Sequence, residues 1–429
     1  LLHIKWGTMK VFKFGGASVN SIDRIKNVKD IVSLYPADKL VIIISAMGKT
    51  TNALEKVVES FYAGNKEDAL KLFDLIKNQH LTTAKYLLVT HFNACLEQLN
   101  NFFTEVEWLL HDKPAKPYDY YYDQVVCCGE LFSTCIVSYY FNEAGVANAW
   151  IDVRDVLRTD NNFRDAGINW DYATKKTAEL VVPTLNNNNI IITQGFIGST
   201  DENESTTLGR EGSDFTAAIF ANLLNAQSLT IWKDVEGVMS ADPKLFPQAQ
   251  FIKELSFEDV IEMAYYGAQV IHPKTIKPLE NKGIQLNVKC FLDATLPGTV
   301  ITKKKAKNLP PIVIIKQQQV LMHLHSQDFS FVGEKPISRL YEIFEQVKIK
   351  PNLIQTGAIS VQLCLDDKTE KIDLLASEAS SIFDVEVEKG LSLLTIRHFT
   401  TALLDEMVNG KEVVLKQQTR ETAQVLYRQ

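Results

Sequence analysis

An open, mainly parallel α/β sheet sandwiched by helices, followed by a smaller ferredoxin-like α+β domain, is the fold class that this 429-residue sequence predicts. Three observations predict it. From Met9 onward, short β-branched and apolar runs alternate with stretches of helical period. Several runs, residues 40–45 foremost, are continuously apolar, as in a strand buried on both faces. Past a charged, proline-ended connector, residues 303–311 (KKKAKNLPP), the order becomes β-α-β-β-α-β.

Residues 10–14 read as the first strand, ending in Gly15-Gly16, and residues 22–33 as the first helix. Residues 40–45 form the second strand, helical patterns fill 52–111, and 125–128 is strand-like ahead of a helix at 129–142. Further buried strands are expected at 148–153, 189–193, 228–232 and 285–289. In an open sheet of this kind ligands bind beyond the C-terminal ends of the strands. The glycine-rich and polar turns fall there: Gly15-Gly16, 45–52, 193–198 and 234–237. The first eight residues read as vector-derived or upstream sequence, and residues 9–305 as one domain. Residues 318–429 follow as one full β-α-β-β-α-β unit, about 318–390, and a cropped second, 391–429, with no room for its second helix.

A net charge of -7 argues against a general nucleic-acid binder, which needs a basic face. It leaves a small anionic substrate open, because one arginine or lysine reverses the field inside a cleft. The longest apolar runs are too short to span a membrane. Six cysteines form no CxxC pair and no metal-ligand spacing, so no resident metal is expected and a reducing cytoplasm fits best.

Lys13 sits in a strand that ends in Gly15 and Gly16, and glycine lets backbone N–H groups approach a phosphate. A sheet-edge lysine beside an ordinary turn is the plainer alternative. Gly48-Lys49-Thr50 resembles the end of a Walker A loop, but Ile43 stands where that motif needs its first glycine. The loop is better read as a small-residue cradle contributing Ser45, Gly48 and the hydroxyl of Thr51. Glu130, at a helix start, is either a favourable first-turn charge or an acceptor for a substrate ammonium. The stretch Thr206 to Thr216 (TTLGREGSDFT) gathers Arg210, Ser213 and Asp214 before an apolar helix. Helix N-termini attract anions, and arginine grips a carboxylate with two parallel bonds. His272 has no partner at metal spacing and is assigned structure.

Taken in order, KFGGASV, SAMGKTTN, GE, DVRDVLRTD, TQGFIG, TTLGREGSD, WKDVEGVMSADPK and YGAQVIHPKT resemble the motifs of the aspartokinase family within the amino acid kinases. The resemblance spans Lys13 to Thr275, and the region after Pro311 resembles ACT regulatory domains. It implies the amino acid kinase fold and ATP-dependent phosphorylation of the aspartate β-carboxylate, the first step towards lysine, threonine and methionine. It further implies Lys13 and Asp214 as catalytic, with Glu130 on the substrate α-ammonium and Arg210 on its α-carboxylate. Ser45, Thr51 and Ser213 complete the substrate cradle, and Gly15, Gly16, Asp234, Asp242 and Lys244 frame ATP and its Mg²⁺. An ionised carboxylate nucleophile needs no general base, so alignment and positive charge carry the catalysis.

Lys233, Met239 and Gln269 stand where the family commonly has a small hydroxyl residue, a tyrosine and a lysine, and all three lie on the nucleotide side. Glu211 stands where the family has a glycine. Two rival readings remain: a glutamate or N-acetylglutamate kinase, or a catalytically silent amino-acid sensor. An acetylated amine gives Glu130 no partner, and the retained Lys13, Arg210 and Asp214 argue against silence. Exposed edge strands in the ACT-like region favour a homodimer, and the resemblance implies a lysine or threonine effector there, with weak coupling if the second unit is cropped.

Overall fold

The computed structural model describes residues 8–268, 270–328 and 330–428, which leaves most of the upstream stretch and Gln269 outside the described residues. The chain divides into two compact units. The first holds residues 8–238, 251–261 and 270–306, and the second holds 239–250, 262–268 and 307–428.

The first unit is built on eight strands. They are β1 (Met9–Phe14), β2 (Lys39–Ile44), β3 (Ala149–Ile151), β4 (Ile190–Gln194), β5 (Ser228–Lys233), β6 (Glu254–Ser256), β7 (Gln285–Cys290) and β8 (Thr299–Thr302). Their order is β6-β8-β7-β5-β1-β2-β4-β3, parallel throughout except at β7–β8. β1 is therefore central, with Lys13 opposite Ile43 and Ile231, and the sheet-edge reading of that lysine falls away. Leu40 through Ile44 are all fully buried, as a continuously apolar run requires. Phe14 stacks on Trp232 at 6.0 Å, joining β1 to β5 through aromatic packing.

The helical tract after β2 resolves into Thr50–Tyr62, Lys66–Leu87 and Phe92–His111. The strand-like reading of 125–128 is wrong: Tyr118–Val126 is helical and runs almost directly into the helix Cys128–Glu143. Its Tyr and Val content favours strands locally, but Val125, Val126, Cys127 and Cys128 are all buried, and burial outweighs propensity. The run Tyr118–Glu143 is also long and apolar enough to cross a bilayer, with 83% of its most apolar window buried inside the protein. That is the burial of a core helix.

The second unit carries one six-stranded sheet, composed of β9 (Ile312–Ser326), β10 (Leu353–Thr356), β11 (Ser360–Asp366), β12 (Phe383–Arg397), β13 (Glu412–Gln418) and β14 (Thr422–Arg428). The order is β10-β11-β9-β12-β14-β13. β9 and β12 are 15 residues each and serve two halves. Residues 319–326 pair with β11 and with 383–391, under the helices Glu334–Val347 and Thr369–Ala379. Residues 312–316 pair with 393–397, beside β14 and the helix Thr401–Val408.

The half beginning at residue 391 thus has four strands, because 312–316 supply one that a boundary at 318 leaves out. The polar run Lys316-Gln-Gln-Gln319 looks like a break in sequence. In the fold it is a bulge: Gln318 takes φ 54°, the register shifts on both sides of Gln319, and Asp366 accepts from Lys316 and Gln319 at 3.1 and 3.0 Å.

Candidate active site

The parallel strands β1, β2, β4 and β5 end on the same edge of the sheet, and the loops that leave them enclose a cavity of 520 Å³. Lys13, Gly16, Ser45, Thr51, Glu130, Arg210, Ser213, Asp214 and Lys233 all line it. Lys13 near the end of β1 and Asp214 at the start of the helix Gly212–Leu223, far apart in sequence, meet here.

The floor is an ion pair. Lys13 Nζ lies 2.6 Å from Asp214 Oδ1, with side-chain exposures of 13% and 4%. Asp214 is in the first turn of the helix Gly212–Leu223, so a strand end and a helix start are tied by one contact. Breaking such a buried pair from one side costs about 3–5 kcal/mol.

Close backbone approach shapes the wall. A Cβ on Gly16 would sit 2.6 Å from the Ala46 carbonyl oxygen, and Gly48, at φ 54°, donates its N–H to the Gly16 oxygen at 2.9 Å. The loops after β1 and β2 are therefore locked together only because Gly16 has no side chain. Gly195 plays the same part beneath Ser213, whose Cβ would stand 2.5 Å from an added methyl.

Glu130 carries the strongest electrostatic signal. It is 2% exposed, its Oε1 accepts the Ala46 N–H at 3.2 Å, and its Oε2 has no hydrogen-bond partner among the described residues. Burial pushes its carboxyl up to about 8, against the opposing pull of the Ala46 N–H and of Lys13. The helix-cap reading of Glu130 does not account for this geometry, because the carboxylate reaches across to the loop after β2. Arg210 reaches the cavity from its exposed rim. An unpartnered carboxylate oxygen in the depth and a guanidinium on the rim thus face the same cavity.

Other expected residues fall elsewhere. Gly15 precedes the turn, with the site of its missing Cβ 3.5 Å from Lys13 Nζ. Asp234 is held by Arg24 at 2.9 Å and does not line the cavity. Asp242 and Lys244 belong to the second unit, where Asp242 accepts the Lys244 N–H at 2.9 Å, and Gln269 lies outside the described residues.

The cavity is also lined by Tyr122 and Arg164, which lie in none of the motifs, and by Phe196 and Thr207, which lie in TQGFIG and TTLGREGSD with no role assigned to them. Arg164 lies 4.1 Å over the Tyr122 ring and pairs with Asp119 at 3.3 Å. Asp123, fully buried, accepts the Arg164 N–H at 3.0 Å and both the N–H and hydroxyl of Thr207 at 2.8 and 2.7 Å. Desolvation raises its carboxyl to about 6. No cluster of three or more metal-ligating side chains occurs among the described residues.

The amino acid kinase family description matches residues 8–290. Lysine-sensitive aspartokinase 3 of Escherichia coli is 32% identical over 396 residues, covering 90% of this chain and 86% of that protein. Chloroplastic aspartokinase 2 of Arabidopsis thaliana is 30% identical, covering 90% and 73%. The structure of E. coli aspartokinase III with aspartate and ADP superposes with a TM-score of 0.83 at 28% identity, over 98% of this chain and 96% of that one. The form of that enzyme with lysine and aspartate gives 0.80, over 97% and 95%.

The raised Glu130 carboxyl has a measurable consequence. Between about 4.5 and 8 the folded state keeps a proton that the unfolded chain has lost, so this group's contribution to stability falls as pH rises through that window. Its full cost is present above about pH 8. In thermal unfolding of the ligand-free protein, Glu130→Gln gains stability relative to wild type between pH 5 and pH 9. An equal difference at both pH values would show that Glu130 does not titrate there.

Proposed function

The chain belongs to the aspartokinases of the amino acid kinase family, and on that premise we propose that its cavity transfers the γ-phosphoryl group of ATP to the β-carboxylate of aspartate. The products are aspartyl 4-phosphate and ADP. The observation that carries this reading is the meeting of Glu130, with one oxygen unpartnered, and Arg210 in the same cavity as the Lys13–Asp214 pair.

Arg210 receives the α-carboxylate and Glu130 the α-ammonium, which leaves the β-carboxylate directed to the cavity floor. Ser45, Thr51 and Ser213 supply hydroxyls around it. The β-carboxylate oxygen attacks the γ-phosphorus as the bond to the β-phosphate oxygen breaks. Negative charge then spreads over the transferring group, where Lys13 and the N-terminus of the helix Gly212–Leu223 oppose it. Asp214 holds the Lys13 ammonium in position. Mg²⁺ enters with ATP as part of the substrate.

On the nucleotide side, Gly15 and Gly16 let the backbone close on phosphate, and Lys233 brings a second ammonium to the cavity. Asp242, Lys244 and Gln269 keep their nucleotide role on the family resemblance alone. Asp234, engaged by Arg24, orders the turn after β5.

Residues 9–305 form the catalytic domain in this reading and 318–429 the regulatory region, with the strand at 312–316 added to it. A lysine effector there is supported by the name of the E. coli relative and by the lysine-bound form of its structure. The four strands in each half remove the reason to expect weak coupling. Six free, buried cysteines support a reducing cytoplasmic setting, and the open edge strands β10 and β13 support a homodimer.

Lys13→Ala and Asp214→Ala each lower turnover roughly a hundredfold or more in an ATP-dependent assay while circular dichroism is retained. Near-normal turnover in folded Lys13→Ala would remove that residue from the chemistry. Arg210→Lys and Glu130→Gln raise the KM for aspartate about tenfold and leave that for ATP nearly unchanged, since lysine cannot reproduce a two-pronged grip. The reverse pattern would exchange the two sides of the cavity. Titration with lysine lowers activity in a homodimeric preparation sized by light scattering; a flat titration, or a monomer, would remove the regulatory reading.

A further inference from the structure

The loop that presents Arg210 is a tight hook. Gly209 takes φ 76° and Glu211 φ 54°, so both neighbours of Arg210 are left-handed, and the Gly212 N–H returns to the Gly209 oxygen at 3.1 Å. Gly212 has no freedom either, because a Cβ there would stand 2.7 Å from Phe196 Cδ2. Glycine adopts this conformation readily. Glu211 has a Cβ, and a residue held there persists only where its surroundings over-determine it.

Helix capping does not explain the glutamate. Glu211 is the N-cap of the helix Gly212–Leu223, yet its side chain makes no capping hydrogen bond; its backbone oxygen accepts the N–H groups of Asp214 and Phe215 at 3.0 and 3.2 Å. Its carboxylate turns away instead, and Oε2 accepts the His272 N–H at 3.0 Å.

That N–H is a fixed point. Two residues earlier, the Val270 oxygen accepts from Lys233 Nζ at 2.5 Å, which ties the segment to the end of β5. His272 itself caps the helix Pro273–Lys282 through Nδ1 and the Lys274 N–H, and that helix is pinned to Gly212–Leu223 by the Asn222 bond to the Pro278 oxygen at 2.7 Å. Lys233 and Glu211 thus grip one short segment from two sides of the cavity that both of them line.

We infer that Glu211 is a positioning residue for substrate recognition: its tether to the His272 N–H holds the hook, and so the direction of Arg210, while drawing its own negative charge away from the incoming anion. An untethered carboxylate beside Arg210 would both compete for the guanidinium and repel the substrate. This inference rests on the reading that Arg210 receives the aspartate α-carboxylate.

Three variants test it: Glu211→Gln, Glu211→Ala and Glu211→Gly. The glutamine oxygen can still accept the His272 N–H, so Glu211→Gln keeps a KM for aspartate within about twofold of wild type. Glu211→Ala loses the tether and keeps the left-handed strain. Glu211→Gly loses the tether and relieves the strain. Both raise the KM for aspartate about tenfold with little change in kcat, as loss of substrate orientation predicts, and Glu211→Gly melts no lower than Glu211→Ala. A raised KM in the more relaxed glycine variant is what a purely structural role would not give. A wild-type KM in either truncation, or a glutamine variant as impaired as alanine, overturns the inference. If Arg210→Lys also leaves the KM unchanged, the fault lies in the assignment of Arg210; if Arg210→Lys raises it and the truncations do not, only the tether fails.

Discussion

The Lys13–Asp214 ion pair is the contact on which the rest of the cavity depends. A lysine in the centre of a parallel sheet is costly to bury, and it is tolerated because a carboxylate from a helix start meets it at 2.6 Å. That meeting requires β1 and the helix Gly212–Leu223 to converge, which in turn requires small residues wherever loops cross. Gly16 admits the loop after β2, and Gly195 admits Ser213. The polar floor and the glycines around it are one design constraint seen from two directions.

The pair also sets the electrostatics of what surrounds it. Glu130 lies deep enough that burial outweighs the pull of Lys13, whose charge is already engaged by Asp214. The outcome is a carboxyl that keeps its proton near neutral pH, with one oxygen unpartnered among the described residues. In the proposed reading, Arg210 on the rim and Glu130 in the depth give the cavity a direction: they hold the amino-acid end of the substrate and leave its reactive end over the floor.

Much of this was legible in the sequence, and the exceptions have physical causes. The strands β1, β2, β4, β5 and β7 end within a residue or two of their expected places; β2 is apolar and buried on both faces, while β7 alternates buried and half-buried positions, and each pattern marks a strand. Lys13, Ser45, Thr51, Glu130, Arg210, Ser213 and Asp214 all reach one cavity. Arg164 and Tyr122 were not singled out, since each comes to the wall through contacts with no local signature, such as the buried Asp123 bonding the Arg164 N–H. Residues 125–128 were misread because β propensity is a weak guide where a helix is buried on every side. The strand at 312–316 was missed because a bulge can absorb a polar interruption that looks like a boundary. Asp234 has the residue type for a nucleotide ligand, but Arg24 lies close enough to claim it.

The central claim is that this cavity selects a free α-amino dicarboxylic acid of aspartate length and phosphorylates its distal carboxylate. ATP-dependent formation of the acyl hydroxamate, with hydroxylamine trapping the acylphosphate, tests it most directly when aspartate, glutamate and N-acetylglutamate are compared on the same purified protein. The account predicts robust product with aspartate, far less with the longer glutamate, and none with the acetylated amine that Glu130 cannot pair. Equal or greater turnover of N-acetylglutamate, or no hydroxamate from any of the three, would contradict it.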